Sequence, residues 1–176
     1  MKNIYDWILR ESFVKKYSAQ DQRLLAIWAA DCAEHVLPFF ENACPTNDRP
    51  RKAIEACRKW IRTGVFKMSE IRGASLAAHA AAREVKENSI AFFAARAAGQ
   101  AAATAHVSQH AFGAAYYALK TVAVADPANA EGRIAEEHNW QLLHIPERLC
   151  EEILDRIIIQ KHDNRIVIKI QKSKDF

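Results

Sequence analysis

Residues 94–120 read AARAAGQAAATAHVSQHAFGAAYYALK, and this stretch decides the fold. Alanine has the highest intrinsic helix propensity and is depleted in strands. Phe92, Ala95, Gly99, Ala102 and His106 fall on one line of a 3.6-residue repeat, which predicts a helix over about Ser89 to Val107. Gly99 inside that helix would cost up to about 1 kcal/mol against Ala, so close packing is the reason for it. Ser108 predicts the start of a second helix. In it Ala111, Ala114, Ala115 and Ala118 interleave with Phe112, Tyr116 and Leu119 until Asp126-Pro127 breaks the run.

Working outward, the same bias covers the middle of the chain. There are 32 alanines among 176 residues, 23 of them between Ala74 and Ala130, against five Gly and five Pro. So little punctuation excludes β sandwiches, barrels and collagen-like chains. Upstream, Ile4, Trp7, Ile8 and Phe13 suit a short helix over residues 3–16. Ser18 and Asp21 then predict a helix start, followed by the stripe Leu25, Trp28, Ala29, Cys32 and Val36, with Pro38 expected to kink or restart it. Asp48 before Arg49-Pro50 and the later Gly64 bound the next helix, in which Glu55 and Lys59 have ion-pair spacing. A fourth helix spans about Lys67 to Lys86, its apolar stripe mostly alanine, a composition that lets helix axes approach closely. Downstream of Pro127, a helix over about Ala128 to Leu143 and another from Pro146 to about Ile158 precede a change of period. Ile157–Ile159, the turn residues His162-Asp163-Asn164 and the alternating Arg165–Ile170 predict a hairpin that must dock on the helices or on another chain. The expectation is an all-α, single-domain bundle of about seven or eight helices over residues 1–158, with a short C-terminal β-hairpin in the tail 159–176.

Charge and cysteine set weaker bounds. The net charge is +4, with no block of Lys and Arg of the kind a dedicated nucleic-acid binder concentrates on one face. Cys32, Cys44, Cys57 and Cys150 have neither paired metal-ligand spacing nor the density of a disulfide scaffold. MKNIYDWILRESF lacks the apolar core of a signal peptide, and no stretch suits a membrane span. These features predict a soluble, cytoplasmic, reduced protein with no membrane or nucleic-acid partner.

Chemistry-bearing residues are few. Cys32, His35 and Asp31 share helix spacing that could approximate a nucleophilic dyad with an orienting carboxylate, yet Cys32 also lies on the apolar stripe, where a thiol is a small hydrophobe. His106 and His110 are four apart, and His79 is a third ligand candidate, but Val107 stands where a metallopeptidase signature requires Glu. The reading is therefore no catalytic residue, no metal and no cofactor. Arg72, His79, Arg83 and Lys86 form a basic stripe, and Arg96, Gln100 and Thr104 form a polar line in an alanine-rich helix. Buried polar groups need partners, so that line either links helices or borders a groove. No phosphate loop, nucleophile elbow or dinucleotide fingerprint is present.

Four blocks taken together carry more information than their periodicity: WAADCAEHVLPFFE (28–41), DRPRKAIEACRKW (48–60), ASLAAHAAAREV (74–85) and the opening stretch 94–120. Their order resembles the immunity-five-like family of bacterial immunity proteins of polymorphic toxin systems, over Trp28 to Val124. That resemblance implies a helical protein that binds and neutralises a cognate protein toxin, with no catalytic residue to carry over. Arg51, Lys52, Arg58, Arg62, Arg72, His79, Arg83, Arg96 and Gln100 are then the binding candidates. An acidic surface made by Glu136-Glu137 and Glu147-Glu151-Glu152 is the alternative. Two further classes remain open: a helical scaffold that forms homo-oligomers by pairing Ile166, Ile168 and Ile170 through the tail, and a metal-dependent enzyme using Cys32, His35, His79, His106 and His110.

Overall fold

The computed structural model describes residues 17–162 and 165–171. The helix expected over residues 3–16 and the turn residues Asp163 and Asn164 lie outside the described residues. Six helices follow in order: α1 (Ala19–Ala43), α2 (Arg49–Thr63), α3 (Met68–Glu84), α4 (Ser89–Ala103), α5 (His110–Ala125) and α6 (Ala130–Leu143). A five-residue helical segment, Cys150–Leu154, leads into an antiparallel hairpin of β1 (Ile157–His162) and β2 (Arg165–Ile170).

α4 is the centre of the bundle. It is flanked by α3 and α5 and packed beneath by α1 and α2, while α6 and β2 pack on α5. Alanine permits this arrangement. Ala91, Ala94, Ala95, Ala97, Ala98, Ala101 and Ala102 of α4 are all fully buried, as are Ala111, Ala114, Ala115 and Ala118 of α5. With a methyl group as the only spacer, backbones approach until other helices fill the remaining volume, and Trp28, Leu25, Leu37 and Phe40 of α1 with Phe112 and Leu119 of α5 supply it.

The helix ends show which local rules operate. Ser18 and Asp21 form a reciprocal capping box: the Asp21 amide donates to Ser18 Oγ at 3.1 Å and the Ser18 amide to Asp21 Oδ2 at 3.1 Å. The Ser18 hydroxyl also donates to that carboxylate, which holds Asp21 below its ordinary pKa, and Arg148 pairs with it at 2.6 Å. Gly64 closes α2 in the left-handed region, φ 68°, as its position in the sequence predicts.

Several expectations need correction. Pro38 neither breaks nor restarts α1, which runs unbroken to Ala43. Pro38 and Glu34, one turn earlier, are both exposed, so the carbonyl left without its donor is on the water side, while Leu37 and Phe40 anchor the same turn in the core. Lys59 pairs with Glu70 of α3 at 2.6 Å rather than with Glu55. α4 stops at Ala103, short of Val107, because Gln22 of α1 donates to the carbonyls of Thr104 and Ala105, both at 3.0 Å, and holds them in a turn. α5 then begins at His110 with no side-chain cap, so Ser108 does not play the capping role its position predicts. The last helical segment ends at Leu154, not near Ile158: β-branched Ile157–Ile159 extend and pair with Ile170, Lys169 and Ile168. The hairpin docks on α5 of its own chain, with Ile157 and Ile168 buried in the common core.

Candidate functional site

Two polar clusters interrupt the alanine core. The first lies across α3, α4 and α5. Ser75 of α3 is buried and donates to the Gly99 carbonyl at 2.8 Å, locking α3 to α4. One turn on, the His79 ring lies flat against Gly99: a Cβ there would stand 2.5 Å from ring carbon Cε1. Gln100 repeats the device toward α5, its side chain over Gly113, where a Cβ would meet Oε1 at 2.7 Å, and its Oε1 2.7 Å from His110 Nδ1. Each glycine therefore makes room for a polar side chain of the neighbouring helix.

Arg96 extends the cluster. Its guanidinium donates to the Tyr117 hydroxyl at 3.1 Å and sits over the Tyr117 ring at 5.2 Å, while its Nε is buried without an acceptor. Phe93 stacks on Tyr117 at 6.1 Å, and Lys120 Nζ lies over Phe93 at 5.4 Å. Burial, with Arg96, Arg83 and His110 nearby, pushes the His79 imidazole down to about 4, so it is neutral at physiological pH, and its Nδ1 has no partner. His106 and His110 are 5.4 Å apart between ring centres. Among the described residues, no group of three His, Cys, Asp or Glu is placed to hold a metal ion.

The structure thus brings together His79, Arg96, Gln100 and His110, with exposed Arg83 near His79 and exposed Arg72 two turns before it on the same face of α3. The other binding candidates are elsewhere and differently employed. On α2, Arg51 pairs with Glu41, Lys52 with Asp48, and Arg58 with both Asp31 and Glu34 at 2.6 and 2.7 Å. Arg62 is exposed in the last turn of α2, where the helix dipole favours a cation.

The second cluster was not legible in the sequence. Glu137 of α6, expected on an acidic surface with Glu136, is instead buried, its side chain 2% exposed. It accepts from His35 Nδ1 at 2.8 Å and from Gln141 Nε2 at 2.8 Å. Gln141 also donates to the Ala115 carbonyl, and its own carbonyl accepts from Trp28 Nε1 at 3.1 Å, so one network ties α1, α5 and α6. Burial raises the Glu137 pKa against the lowering effects of Gln141 and His35. Trp140 is sandwiched between His35 and His144, both at 4.0 Å. Beside this stack is an open cleft of about 450 Å³, bordered by Phe39, Val122, Arg133 and Glu136. The one available signal was Trp28, a core tryptophan whose indole N–H needs an acceptor.

These contacts also answer the nucleophile question. His35 is turned to Glu137, Asp31 to Arg58, and Cys32 is fully buried. Burial, together with the Glu137 and Asp31 charges, raises the Cys32 thiol well above its ordinary range, and burial pushes Cys57 up to about 12. A thiol so raised is the opposite of an activated one.

The contact of His79 with Gly99 has a measurable consequence. Gly99→Ala should destabilise the protein by about 1–2 kcal/mol, because the ring must be displaced. In a His79→Ala background the same change should stabilise it by up to about 1 kcal/mol, the helix propensity of Ala over Gly. Urea denaturation of the four proteins checks this reversal of sign, which a purely local effect at residue 99 would not produce.

No described helix is long and apolar enough to cross a membrane. No curated protein and no solved structure matches the chain. The family model described as "Imm-5 like putative immunity protein" matches residues 15–148, from just before the capping box of α1 to the Arg148 that pairs with it, and so takes in all six helices. The match extends beyond the resemblance read over Trp28 to Val124 at both ends, and the chain belongs to this immunity protein family.

Proposed function

We propose that this chain acts as an immunity protein, binding a cognate bacterial toxin and blocking it by contact rather than by catalysis. Family membership over residues 15–148 carries the reading. The state of the reactive groups supports it: His35 is engaged by Glu137, Cys32 is fully buried, and the His79 imidazole is neutral and packed against backbone. The four cysteines are free thiols, in keeping with a reducing cytoplasm as the place of action. A neutraliser needs a rigid surface with a few strong anchors, and the alanine-packed helices offer one.

Co-expression with the toxin encoded by the adjacent gene tests this. The chain should restore growth to cells making that toxin and should co-purify with it. Absence of both rescue and complex would remove the immunity reading.

A further inference from the structure

Resting on the immunity reading, we propose that the outward sector of the α3–α4–α5 layer is the docking surface, and that its occupant is an acidic surface of a protein partner. In that sector Arg83 of α3 and Arg96 of α4 both lie near His79, Arg96 and Phe93 of α4 meet Tyr117 of α5, Lys120 lies over Phe93, and Arg72 and Leu76 are exposed on the same face of α3, two turns and one turn before His79.

Charge is the first argument. On α2 the cations Arg49, Arg51, Lys52, Arg58 and Lys59 each pair with a carboxylate of this chain, so an incoming acid would have to displace an internal one, and Arg62 alone on that helix has no such pair among the described residues. Arg72, Arg83, Arg96 and Lys120 have no carboxylate at ion-pair distance among the described residues. A partner's carboxylates would meet four uncommitted cations there. The cleft beside Trp140 differs in this respect, since Arg133 is held by Asp126 and Glu136, and Glu137 by His35.

Preorganisation is the second. Arg96 is fixed by the Tyr117 hydroxyl and ring, so little side-chain freedom remains to be lost on binding. Arg and Tyr are the residue types that dominate binding energy at protein interfaces. Leu76, 52% exposed, adds apolar area at the margin of the same face. Beneath, α4 is seated on α1 and α2, so the surface is rigid.

Basic faces with aromatic rings also bind single-stranded nucleic acid, by stacking bases on free ring faces. Here the rings are engaged: Phe93 with Tyr117, Arg96 over Tyr117 and Lys120 over Phe93. The available groups are cation edges, which suit carboxylates.

The test uses the full chain with two fluorescent probes, an oligoglutamate peptide and a single-stranded oligonucleotide of matched charge, at low salt. Arg72→Glu/Arg83→Glu/Lys120→Glu should weaken peptide binding by about tenfold or more, whereas Arg51→Glu/Lys52→Glu/Arg62→Glu, with the same change in net charge, should weaken it by less than about threefold. Circular dichroism confirms that each variant is folded, and Arg83→Glu alone serves if the triple variant is not. Equal losses in the two triple variants, no peptide binding by the wild type, or tighter binding of the oligonucleotide than of the peptide would each overturn the proposal. Complex formation with the adjacent-gene toxin separates the two readings. A wild-type chain that binds the peptide through this face but not the toxin removes the immunity reading and leaves the acidic-partner surface standing. A toxin complex unaffected by the α3–α5 variant removes the surface and leaves immunity standing.

Discussion

Trp28→Ala should cost about 3–5 kcal/mol, the range for emptying a large aromatic site in a close-packed core. Domains of this kind have only about 5–15 kcal/mol of stability in total. Trp28 is fully buried, edge-on to Phe112 at 6.4 Å, and donates to the Gln141 carbonyl that belongs to the Glu137 network. The substitution therefore opens a cavity between α1 and α5 and takes from that main-chain carbonyl one of its two donors, the His144 amide remaining at 3.2 Å. Trp28→Phe separates the two contributions: it keeps most of the ring volume and loses the hydrogen bond, for about 1–3 kcal/mol. Urea midpoints at constant m-value measure both. Equal losses in the two variants would mean that the hydrogen bond, not the packing, holds α1 against α6.

Acid should weaken the fold through His79. Burial and the charges of Arg96 on α4, Arg83 on α3 and His110 on α5 lower its pKa from 6.5 to about 4 in the folded chain. A group whose folded pKa is depressed contributes stability that is complete above the unfolded value of 6.5 and is lost as pH falls from there through about 4. At about 1.4 kcal/mol for each pH unit, discounted because the ring is half-buried rather than enclosed, the loss approaches about 2 kcal/mol. His110 and His138 are lowered by burial and act in the same sense, whereas Glu137, raised by burial, acts in the opposite one. His79→Gln isolates the effect: its stability should fall less steeply between pH 6.5 and 4 than that of the wild type, by up to one proton's slope. Identical slopes would place the His79 ring in solvent rather than against Gly99.

The helices were readable because their determinants are local. Ser18 with Asp21, Gly64, Asp126-Pro127 and the alanine period each act within one or two turns, and each appears where the sequence puts it. The failures come from contacts distant along the chain. Nothing near Ala103 says that α4 stops there, because Gln22, some 80 positions earlier, holds the turn that follows. Pro38 reads as a break only while its neighbours are unknown. Ile157 and Ile158 look as much like a helix end as a strand until Lys169 and Ile170 are set opposite them.

The candidate site divides in the same way. His79, Arg96 and Gln100 stood out as polar groups in an apolar run, and the structure does gather them, with Gly99 and Gly113 accounting for how they fit. What a sequence does not carry is the state of each charge. Arg51, Lys52 and Arg58 look as available as Arg72 and Arg83 until Glu41, Asp48, Asp31 and Glu34 are found beside them. Glu137 looked like surface because its neighbour Glu136 is surface; one residue of helix rotation puts it among His35, Gln141 and Trp28 instead.

The alanine layer also governs how such a chain can change over generations. A buried leucine has substitutes of similar volume, so a leucine core drifts by repacking. A buried alanine between two close backbones has none: anything larger forces the helices apart, and glycine gives up about 1 kcal/mol of helix propensity. The inner positions of α4 and α5 are thus nearly frozen. Arg72, Leu76 and Arg83 are exposed and can be exchanged at little cost to the packing of the interior. Scaffold and outward face are in this way decoupled, so recognition can be rewritten by point changes on the outside while the fold that presents it stays the same.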